Sequence, residues 1–270
     1  MKTLRPLFFL VGFVLVVGLA CSAIGGGGNP PPQPTQEQSV PVNDPTQPPP
    51  EPTEPQPLPT DEPPPTEAPP PQPSALEFFT EEFESPLTSD WDTLTVTGTD
   101  DADPDKVKVE PDGGKLVWDF DSEYVYYYMF YNAFDYEDVR VDLSADNRGR
   151  NNNNISLICR YDAEVGWYEF NIANNGLYDI YYAEVTSDGS IGYKRIANGG
   201  SNAIKQGKEV NEYGISCKGD VLTLYINGDE VISRPERTYG LRSGQVGMSV
   251  SSFDVLPILI EMDWIKISEP

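Results

Sequence analysis

The feature that most constrains the fold of this chain is the segment 155–185, ISLICRYDAEVGWYEFNIANNGLYDIYYAEV, in which polar and apolar residues alternate with a period near two. Such alternation is typical of antiparallel strands that have one face on a core and the other in water. Residues 174–176, Asn-Asn-Gly, accept the positive φ angles of a tight reversal, and residues 162–166 can form the turn before it. The segment therefore predicts three consecutive antiparallel strands.

Alternation sorts the residues of the middle strand into two faces. The predicted core face holds Tyr168, Phe170 and Ile172. The opposite face holds Trp167, Glu169 and Asn171. Because the second face is predicted to meet water and carries an aromatic ring beside two polar groups, we expect a functional site there.

The rest of residues 75–270 shows the same pattern of short strands and turns. A run of aromatic residues covers 124–131. Residues 221–232 have the pattern of two strands joined by an Asn-Gly turn, and the last strand-like segment is an apolar run at 259–267. No segment carries a helical period for more than a turn or two. Ten or more short strands in one domain of this size predict two packed antiparallel sheets.

The chain begins with a short basic segment, residues 1–5, followed by an apolar run over residues 6–20. The run has the length of the hydrophobic region of a secretory signal and is too short to span a membrane comfortably. The motif Gly-Leu-Ala-Cys that ends at Cys21 resembles the lipobox of bacterial lipoproteins, in which cleavage before the cysteine leaves a lipid-modified N-terminus. We expect a signal peptide over 1–20 and lipidation of Cys21. The alternative is an ordinary secretory signal cleaved after Ala20.

Residues 21–74 are rich in Pro, Gln, Thr and Glu and contain 20 of the 27 prolines of the chain. Such a segment cannot bury enough apolar surface to fold and samples polyproline II instead. It predicts a disordered linker that spaces the domain at 75–270 from its anchor. Recognition of PxxP sequences by a partner domain is an alternative use of the linker.

The charge of the domain and the absence of histidine exclude several functions. Residues 75–270 contain 16 Lys and Arg against 36 Asp and Glu, a net charge of −20. This field disfavours nucleic acid and anionic lipid surfaces and suits divalent cations or neutral and basic partners. Since the chain has no histidine, Ser-His-Asp and Cys-His catalysis and His-ligated metal sites are excluded.

Two cysteines, Cys159 and Cys217, fall in strand-like segments of the domain. An even number of cysteines in an exported domain predicts a disulfide between them, which we expect to join adjacent strands. A pair of buried free thiols is the alternative.

Four short motifs resemble those of a known family. They are FESPLTSDW at 83–91, DGGKL at 112–116, LTLYING at 222–228 and IEMDWIKI at 260–267. The first two and the last resemble concanavalin A-like lectin/glucanase domains, including family 16 glycoside hydrolases, and the third resembles laminin-G-type domains. The likeness extends over nearly the whole domain. It implies an all-β, two-sheet antiparallel β-sandwich of the jelly-roll type, here preceded by a signal peptide and a disordered Pro-rich linker.

The acid spacing of catalytic family 16 enzymes is absent from the predicted strands. Those enzymes carry Glu-x-Asp-x-(x)-Glu on one strand, so that nucleophile and acid/base project together. Trp167 and Asn171 occupy the positions two residues from Glu169, and Lys266 interrupts the pattern that begins at residue 261. We therefore expect that the domain is not an enzyme, with glycosidase activity as the less favoured alternative.

A saccharide site needs a planar apolar surface and fixed polar groups. The residues predicted to contact a ligand are Trp167, Glu169, Asn171, Arg160, Tyr126, Tyr128 and Tyr182. Trp167 is expected to be exposed and to stack on the sugar ring, while the polar residues bind hydroxyls. The alternative for the tyrosines is that they pack in the core with their hydroxyls at its edge.

The lectin/glucanase resemblance also implies a structural calcium site. Carried over by position, its ligands would be Glu82, a backbone carbonyl of Gly114, and Asp263. Solvated acids explain the same residues equally well in so acidic a domain. No cofactor is expected to be required.

Taken together, the sequence predicts an extracytoplasmic lipoprotein that is anchored to the bacterial cell membrane by its N-terminal lipid. Its lectin-like domain is expected to bind extracellular or cell-wall glycans without catalysis. The alternative is an adhesion or assembly module that recognises a surface protein, as laminin-G-type domains can. Contact with a membrane is expected only through the lipid, and nucleic acid is not an expected partner.

Overall fold

The computed structural model describes residues 75–150 and 153–270, and these ranges contain fifteen β-strands, one 3-10 turn over Pro104–Lys106 and no α-helix. In chain order the strands are β1 (Phe79–Glu81), β2 (Trp91–Thr97), β3 (Val107–Pro111), β4 (Leu116–Phe120), β5 (Val125–Tyr136), β6 (Val139–Asn147), β7 (Asn153–Asp162), β8 (Gly166–Ala173), β9 (Leu177–Val185), β10 (Ile191–Gly200), β11 (Val210–Lys218), β12 (Val221–Ile226), β13 (Asp229–Pro235), β14 (Gly244–Ser252) and β15 (Ile258–Ser268). The predicted signal peptide, Cys21 and the linker lie outside the described residues. Within the described ranges, none of the elements is a helix that could span a membrane.

The strands pair antiparallel in two sheets. Sheet 1 has the order β13-β12-β11-β6-β15-β4-β3, and β1 pairs with the end of β15. Sheet 2 has the order β10-β9-β8-β7-β14-β5-β2. The three strands predicted in segment 155–185 are β7, β8 and β9, which are neighbours in sheet 2 and place Phe170 between Leu157 and Ile180. The predicted all-β, two-sheet sandwich is confirmed.

The main core lies between the two sheets, and the alternation on β8 is confirmed there. Tyr168, Phe170 and Ile172 are at most 1% exposed and belong to this core. Sheet 1 contributes residues such as Leu143 and Ile215 to the same cluster. Full burial of an apolar side chain of this size stabilises a fold by about 1.5–3 kcal/mol, so the inner face of β8 holds the sheets together.

The disulfide between Cys159 and Cys217 crosses this core. Cys159 lies on β7 of sheet 2 and Cys217 on β11 of sheet 1, with their Cα atoms 6.6 Å apart. The predicted pairing is confirmed, but the expectation that it joins adjacent strands is wrong. Both cysteines are fully buried, because each occupies an inward position of its strand and meets the other across the sandwich.

Candidate functional site

The outer face of sheet 2, which is turned away from sheet 1, carries a second buried cluster. Its fully buried members are Tyr128, Phe130, Ile158, Trp167 and Ala183. Trp167 is 0% exposed and packs edge-to-face against Tyr128, with 5.5 Å between ring centroids. Alternation correctly assigns Trp167 to this face, but the expectation that its ring is exposed is wrong.

Sheet 2 covers its own outer face by curling. The hydroxyl oxygens of Tyr128 on β5 and Tyr193 on β10 are 2.5 Å apart, although four strands of the sheet lie between β5 and β10. At about 4.8 Å per strand, a flat sheet would place these two strands about 24 Å apart. The outer face is therefore concave, and side chains from the flanking strands cover its centre. This curvature is the physical reason that Trp167 is buried.

A pocket of about 220 Å³ opens in the concave face. The residues that line it are aromatic or polar, and they are Tyr126, Tyr128, Asn154, Glu169, Asn171, Tyr181, Tyr193, Ser251 and Phe253. Two edge-to-face ring pairs form its walls: Tyr181 with Tyr193, at 6.0 Å between centroids, and Tyr126 with Phe253, at 6.3 Å. The volume is below the range of about 300–1,000 Å³ that is typical of sites for drug-sized molecules. The pocket therefore suits one small ring or group.

Glu169 is the buried acid of this pocket, with 1% of its surface exposed. Its Oε2 accepts hydrogen bonds from Nε1 of Trp167 at 2.9 Å and from the hydroxyl of Tyr128 at 3.3 Å. Burial raises the pKa of Glu169 to about 7, because the charged form loses its hydration, while Trp167, Ser156, Tyr128 and Asn171 hold the pKa down by hydrogen bonding. Near neutral pH the carboxyl group therefore exists in both protonation states.

Four of the residues predicted to contact a ligand line this pocket: Glu169, Asn171, Tyr126 and Tyr128. Asn171 is partly exposed and accepts a hydrogen bond from the hydroxyl of Ser156. Trp167 stands behind Glu169 and holds its carboxyl group by the indole N–H. Four of the seven candidates thus share one cavity, with Trp167 as a supporting residue.

Arg160 does not share this face, so its predicted place beside Trp167 is wrong. It is 2% exposed, and its guanidinium group donates to the carbonyl oxygens of Leu241 at 2.8 Å, Gly219 at 2.8 Å and Glu137 at 2.9 Å. Its φ angle is 57°, and the pairing of β7 with β8 shifts register between Cys159 and residue 162. This bulge breaks the alternation and turns Arg160 toward loops that it ties together.

Tyr182 lies on the core side of β9, so its predicted place beside the site is also wrong. Its hydroxyl group donates to the carbonyl oxygen of Val165 at 3.2 Å, and its ring stacks on Tyr239 at 4.2 Å. It is paired in register with Tyr168, another core residue. The alternative for the tyrosines, packing in the core with the hydroxyl at its edge, is the one that Tyr182 follows.

Five lining residues were not among the predicted ones: Asn154, Tyr181, Tyr193, Ser251 and Phe253. Asn154 and Tyr181 follow the same alternation as Asn171 on neighbouring strands, so the sequence pattern contained a signal for them. Tyr193 reaches the pocket because the sheet curls, and Phe253 because the chain turns after β14. Pairing with Ala183 places Tyr193 on the outer face, but alternation does not show that its ring reaches Tyr128, and it carries no signal for Phe253.

The residues predicted for calcium lie in or beside neighbouring strands of sheet 1, with Asp263 in β15, Glu82 directly after β1 and Gly114 in the turn before β4. β1 and β4 both pair with β15, and Asp263 lies on β15 at the register shift between Met262 and Trp264. Glu82 and Asp263 are both exposed. The described part of the chain has no group of three or more Asp, Glu, His or Cys side chains placed to hold a metal ion. Calcium binding by Glu82, Gly114 and Asp263 stays a prediction.

A larger depression, of about 790 Å³, lies near the start of β15. Its basic residues are Arg148, Arg150 and Lys208, and all three are exposed. No residue lining it is buried, so nothing there is held in a fixed geometry as Glu169 is. The concave pocket is therefore the stronger candidate for a site.

No family model matches this chain, and no curated protein matches its sequence. Among solved structures, it is similar to a family 16 glycoside hydrolase from Bacteroides ovatus in complex with a mixed-linkage glucan product, with 13% identity, a TM-score of 0.51, and 70% of this chain and 99% of that chain covered. It is also similar to a lichenase from a mouse hindgut metagenome, with 10% identity and a TM-score of 0.51. The similarity covers 72% of this chain and 100% of the lichenase chain. A third similar structure is a β-1,3-glucanase from Mycobacterium marinum, with 10% identity and a TM-score of 0.50. The similarity covers 73% of this chain and 100% of the glucanase chain.

The domain has the lectin/glucanase jelly-roll fold. The resemblance predicted from the four sequence motifs is thereby confirmed for the fold.

The same comparison corrects the expectation that the domain is not an enzyme. That expectation depended on the missing acid spacing of one strand, whereas the similar structures are glucanases. The concave face also sets one carboxyl group with a pKa of about 7 beside a cavity, although the strand lacks the spacing Glu-x-Asp-x-(x)-Glu. Absence of that pattern therefore does not exclude glycoside hydrolysis.

Proposed function

We propose that the concave pocket of sheet 2 binds one sugar unit of a glycan. We further propose that the chain displays this pocket outside a bacterial cell, from a lipid on Cys21 and the linker over 21–74. The observation that carries the binding proposal is a small cavity with aromatic walls and a polar interior.

The chemistry of the lining matches that of a sugar ring. A pyranose has apolar C–H faces, which stack on aromatic rings, and a rim of hydroxyl groups, which require hydrogen-bond partners. Tyr126 and Tyr181 offer partly exposed rings from opposite walls. Asn154, Asn171 and Ser251 offer amide and hydroxyl groups between them. Trp167, which is buried, supports the site by its hydrogen bond to Glu169 and is not itself the stacking surface.

A glycan array probed with residues 22–270, exported so that the disulfide forms, tests the binding proposal. Calorimetric titration of the selected glycan should then show that Tyr181→Ala weakens binding about two- to tenfold, because an aromatic contact contributes about 0.5–1.5 kcal/mol. Tyr225→Ala is the matched control, since Tyr225 lies on β12 of sheet 1 and is partly exposed. Equal affinities of both variants and the wild type would place the site elsewhere, and binding of a protein in place of any glycan would favour an adhesion module.

Glycoside hydrolysis is a second candidate, favoured by the raised pKa of Glu169. A carboxyl group with a pKa of about 7 suits a general acid. Glycosidases commonly use a second carboxylate, and Asp179 on β9 is paired in register with Asn171 on the same face. Release of reducing ends from β-glucans, lost in Glu169→Gln and kept in Glu184→Gln, would support this candidate. Release that is equal in Glu169→Gln and the wild type would exclude Glu169 as its acid.

Display on the cell surface is tested separately. Metabolic labelling with a clickable palmitate should mark the wild type and not Cys21→Ser. Equal labelling of both would contradict lipidation of Cys21, and an ordinary signal cleaved after Ala20 would then release the protein into the medium.

A further inference from the structure

We propose that the sugar bound in the concave pocket carries a protonated amine, as an amino sugar without its acetyl group does. This inference rests on the proposed function, since it names the kind of sugar that the same pocket selects. Three observations support it: a buried acid without a cation, a surround of aromatic rings, and a lining without basic side chains.

Glu169 is a carboxyl group buried among neutral partners. In the described part of the chain its hydrogen bonds come from Trp167, Tyr128, Ser156 and Asn171, all of them neutral, and none of the salt bridges found there includes it. A buried carboxylate is costly unless a positive charge compensates it. Because Glu169 lines the pocket, a ligand in the pocket can supply that charge. An ammonium group also donates the hydrogen bonds that a carboxylate accepts.

The walls of the pocket suit a cation as well. Four tyrosines and a phenylalanine line it, in a volume of about 220 Å³. The faces of aromatic rings attract ammonium groups, and this attraction grows when water is excluded. The rings of each edge-to-face pair are inclined by 79° for Tyr181 and Tyr193 and by 63° for Tyr126 and Phe253. Because the two rings of a pair are steeply inclined to each other, a small ammonium group between them can contact the faces of more than one ring.

No Lys or Arg lines the pocket within the residues described. The basic residues on the adjacent strand β10 are neutralised by acids of β9: Arg195 binds Asp179 at 2.8 Å, and Lys194 binds Glu184 at 2.5 Å. Arg195 also lies over the ring of Tyr181, at 5.6 Å from its centroid. The net charge of −20 over residues 75–270 attracts cations at long range as well.

The ionisation of Glu169 makes this selectivity dependent on pH. The other titratable groups packed around it are Tyr126, Tyr128 and Tyr193, whose pKa values are raised chiefly by burial, and Tyr181, which is paired with Glu169 in register. The Asp179–Arg195 ion pair lies on the neighbouring strands β9 and β10. Below pH 7 the free carboxyl group is mainly neutral and attracts an ammonium group less. Affinity for an amino sugar should therefore rise from pH 5 towards neutral pH, because the ionised fraction of Glu169 increases in this range.

The test is calorimetric titration of the full-length protein in detergent with three oligosaccharides of equal length: one of glucosamine, one of N-acetylglucosamine and one of glucose. At pH 7 we expect the glucosamine oligomer to bind about tenfold more tightly than the other two. Glu169→Gln should abolish this preference, while Glu184→Gln should keep both the preference and the three affinities of the wild type. The pH series on the wild type needs no variant, so it tests the inference even if Glu169→Gln fails to fold.

The outcomes separate the two proposals. Equal binding of the three oligomers, or a preference that Glu169→Gln retains, would overturn the inference and leave saccharide binding intact. No binding of any oligomer would overturn both for these sugars. Choline and lysine methyl ester are probes for other sources of an ammonium group. If either binds as tightly as the glucosamine oligomer, the pocket is an ammonium site and the assignment to an amino sugar fails.

Discussion

The two faces of β8 are both buried, but they are covered by different means. The inner face, with Phe170 at its centre, is covered by a second sheet and lies beside a disulfide. The outer face, with Glu169 at its centre, is covered by the curl of its own sheet. A separate layer can fill the space above a strand completely, whereas a sheet that curls leaves a gap along its own axis. The comparison indicates that the gap, and with it the site, is a product of curvature.

The largest expected effect is the loss of stability on truncating either face. Phe170→Ala and Trp167→Ala should each lower the free energy of unfolding by about 3–5 kcal/mol, the usual cost of removing a fully buried aromatic side chain. Only Trp167→Ala should also weaken ligand binding, because it removes a hydrogen bond to Glu169. Urea unfolding followed by circular dichroism, with titration of the same samples, measures both. A loss below 1 kcal/mol for Trp167→Ala would show that the outer face is not packed as the inner one is.

Removal of the disulfide should affect only the inner face. The cysteines are 58 residues apart, and for such a loop the chain-entropy model gives a stabilisation of about 4 kcal/mol, with about 2–4 kcal/mol typical of measurements. The double variant Cys159→Ala, Cys217→Ala should therefore unfold at lower urea concentration, while its affinity for a glycan stays within about twofold of the wild type. A large loss of affinity would show that the two faces are coupled.

Glu169 should make the stability of the outer face depend on pH. Its folded pKa is about 7 and its ordinary value is 4.5, so the folded state holds its proton longer than the unfolded state. The contribution of Glu169 to stability should thus be fully present below about pH 4.5 and fall as pH rises from about 4.5 to 7, by about 3 kcal/mol in all at 1.36 kcal/mol per pH unit. Unfolding measured across this range should show the fall in the wild type and in Glu184→Gln, but not in Glu169→Gln. An identical pH profile for Glu169→Gln would mean that another group is responsible.

The smallest expected effect concerns the hydrogen bond between Tyr128 and Tyr193, which joins the two flanking strands across the concave face of sheet 2. Tyr193→Phe removes the hydrogen bond to Tyr128, but Tyr193 is 39% exposed. The free energy of unfolding should fall by no more than about 1 kcal/mol, as is usual for one hydrogen bond. A thermal melt beside Tyr225→Phe on sheet 1 checks this. A loss above 2 kcal/mol would mean that the curl depends on this contact.

The sequence predicts the fold better than the site, for a physical reason. Alternation is a property of one strand and its two faces, and it places Phe170 inward and Glu169 outward correctly. Curvature is a property of the whole sheet and determines which outward residues are buried, so the exposure of Trp167 was predicted wrongly. The bulge at Arg160 and the meeting of Tyr128 with Tyr193 likewise depend on backbone geometry that residue types do not encode locally.

One wall of the pocket belongs to β10, which in the described part of the chain is an edge strand of sheet 2 and pairs with β9 alone. Edge strands open more readily than central ones, because fewer hydrogen bonds and contacts hold them. A ligand between Tyr193 and Tyr126 would connect this edge to β5 on the other side of the curl. A bound ligand should therefore hold β10 in place and slow amide hydrogen exchange on β10 more than on β8. The time for which the ligand stays bound would accordingly depend on how often the edge strand β10 opens locally.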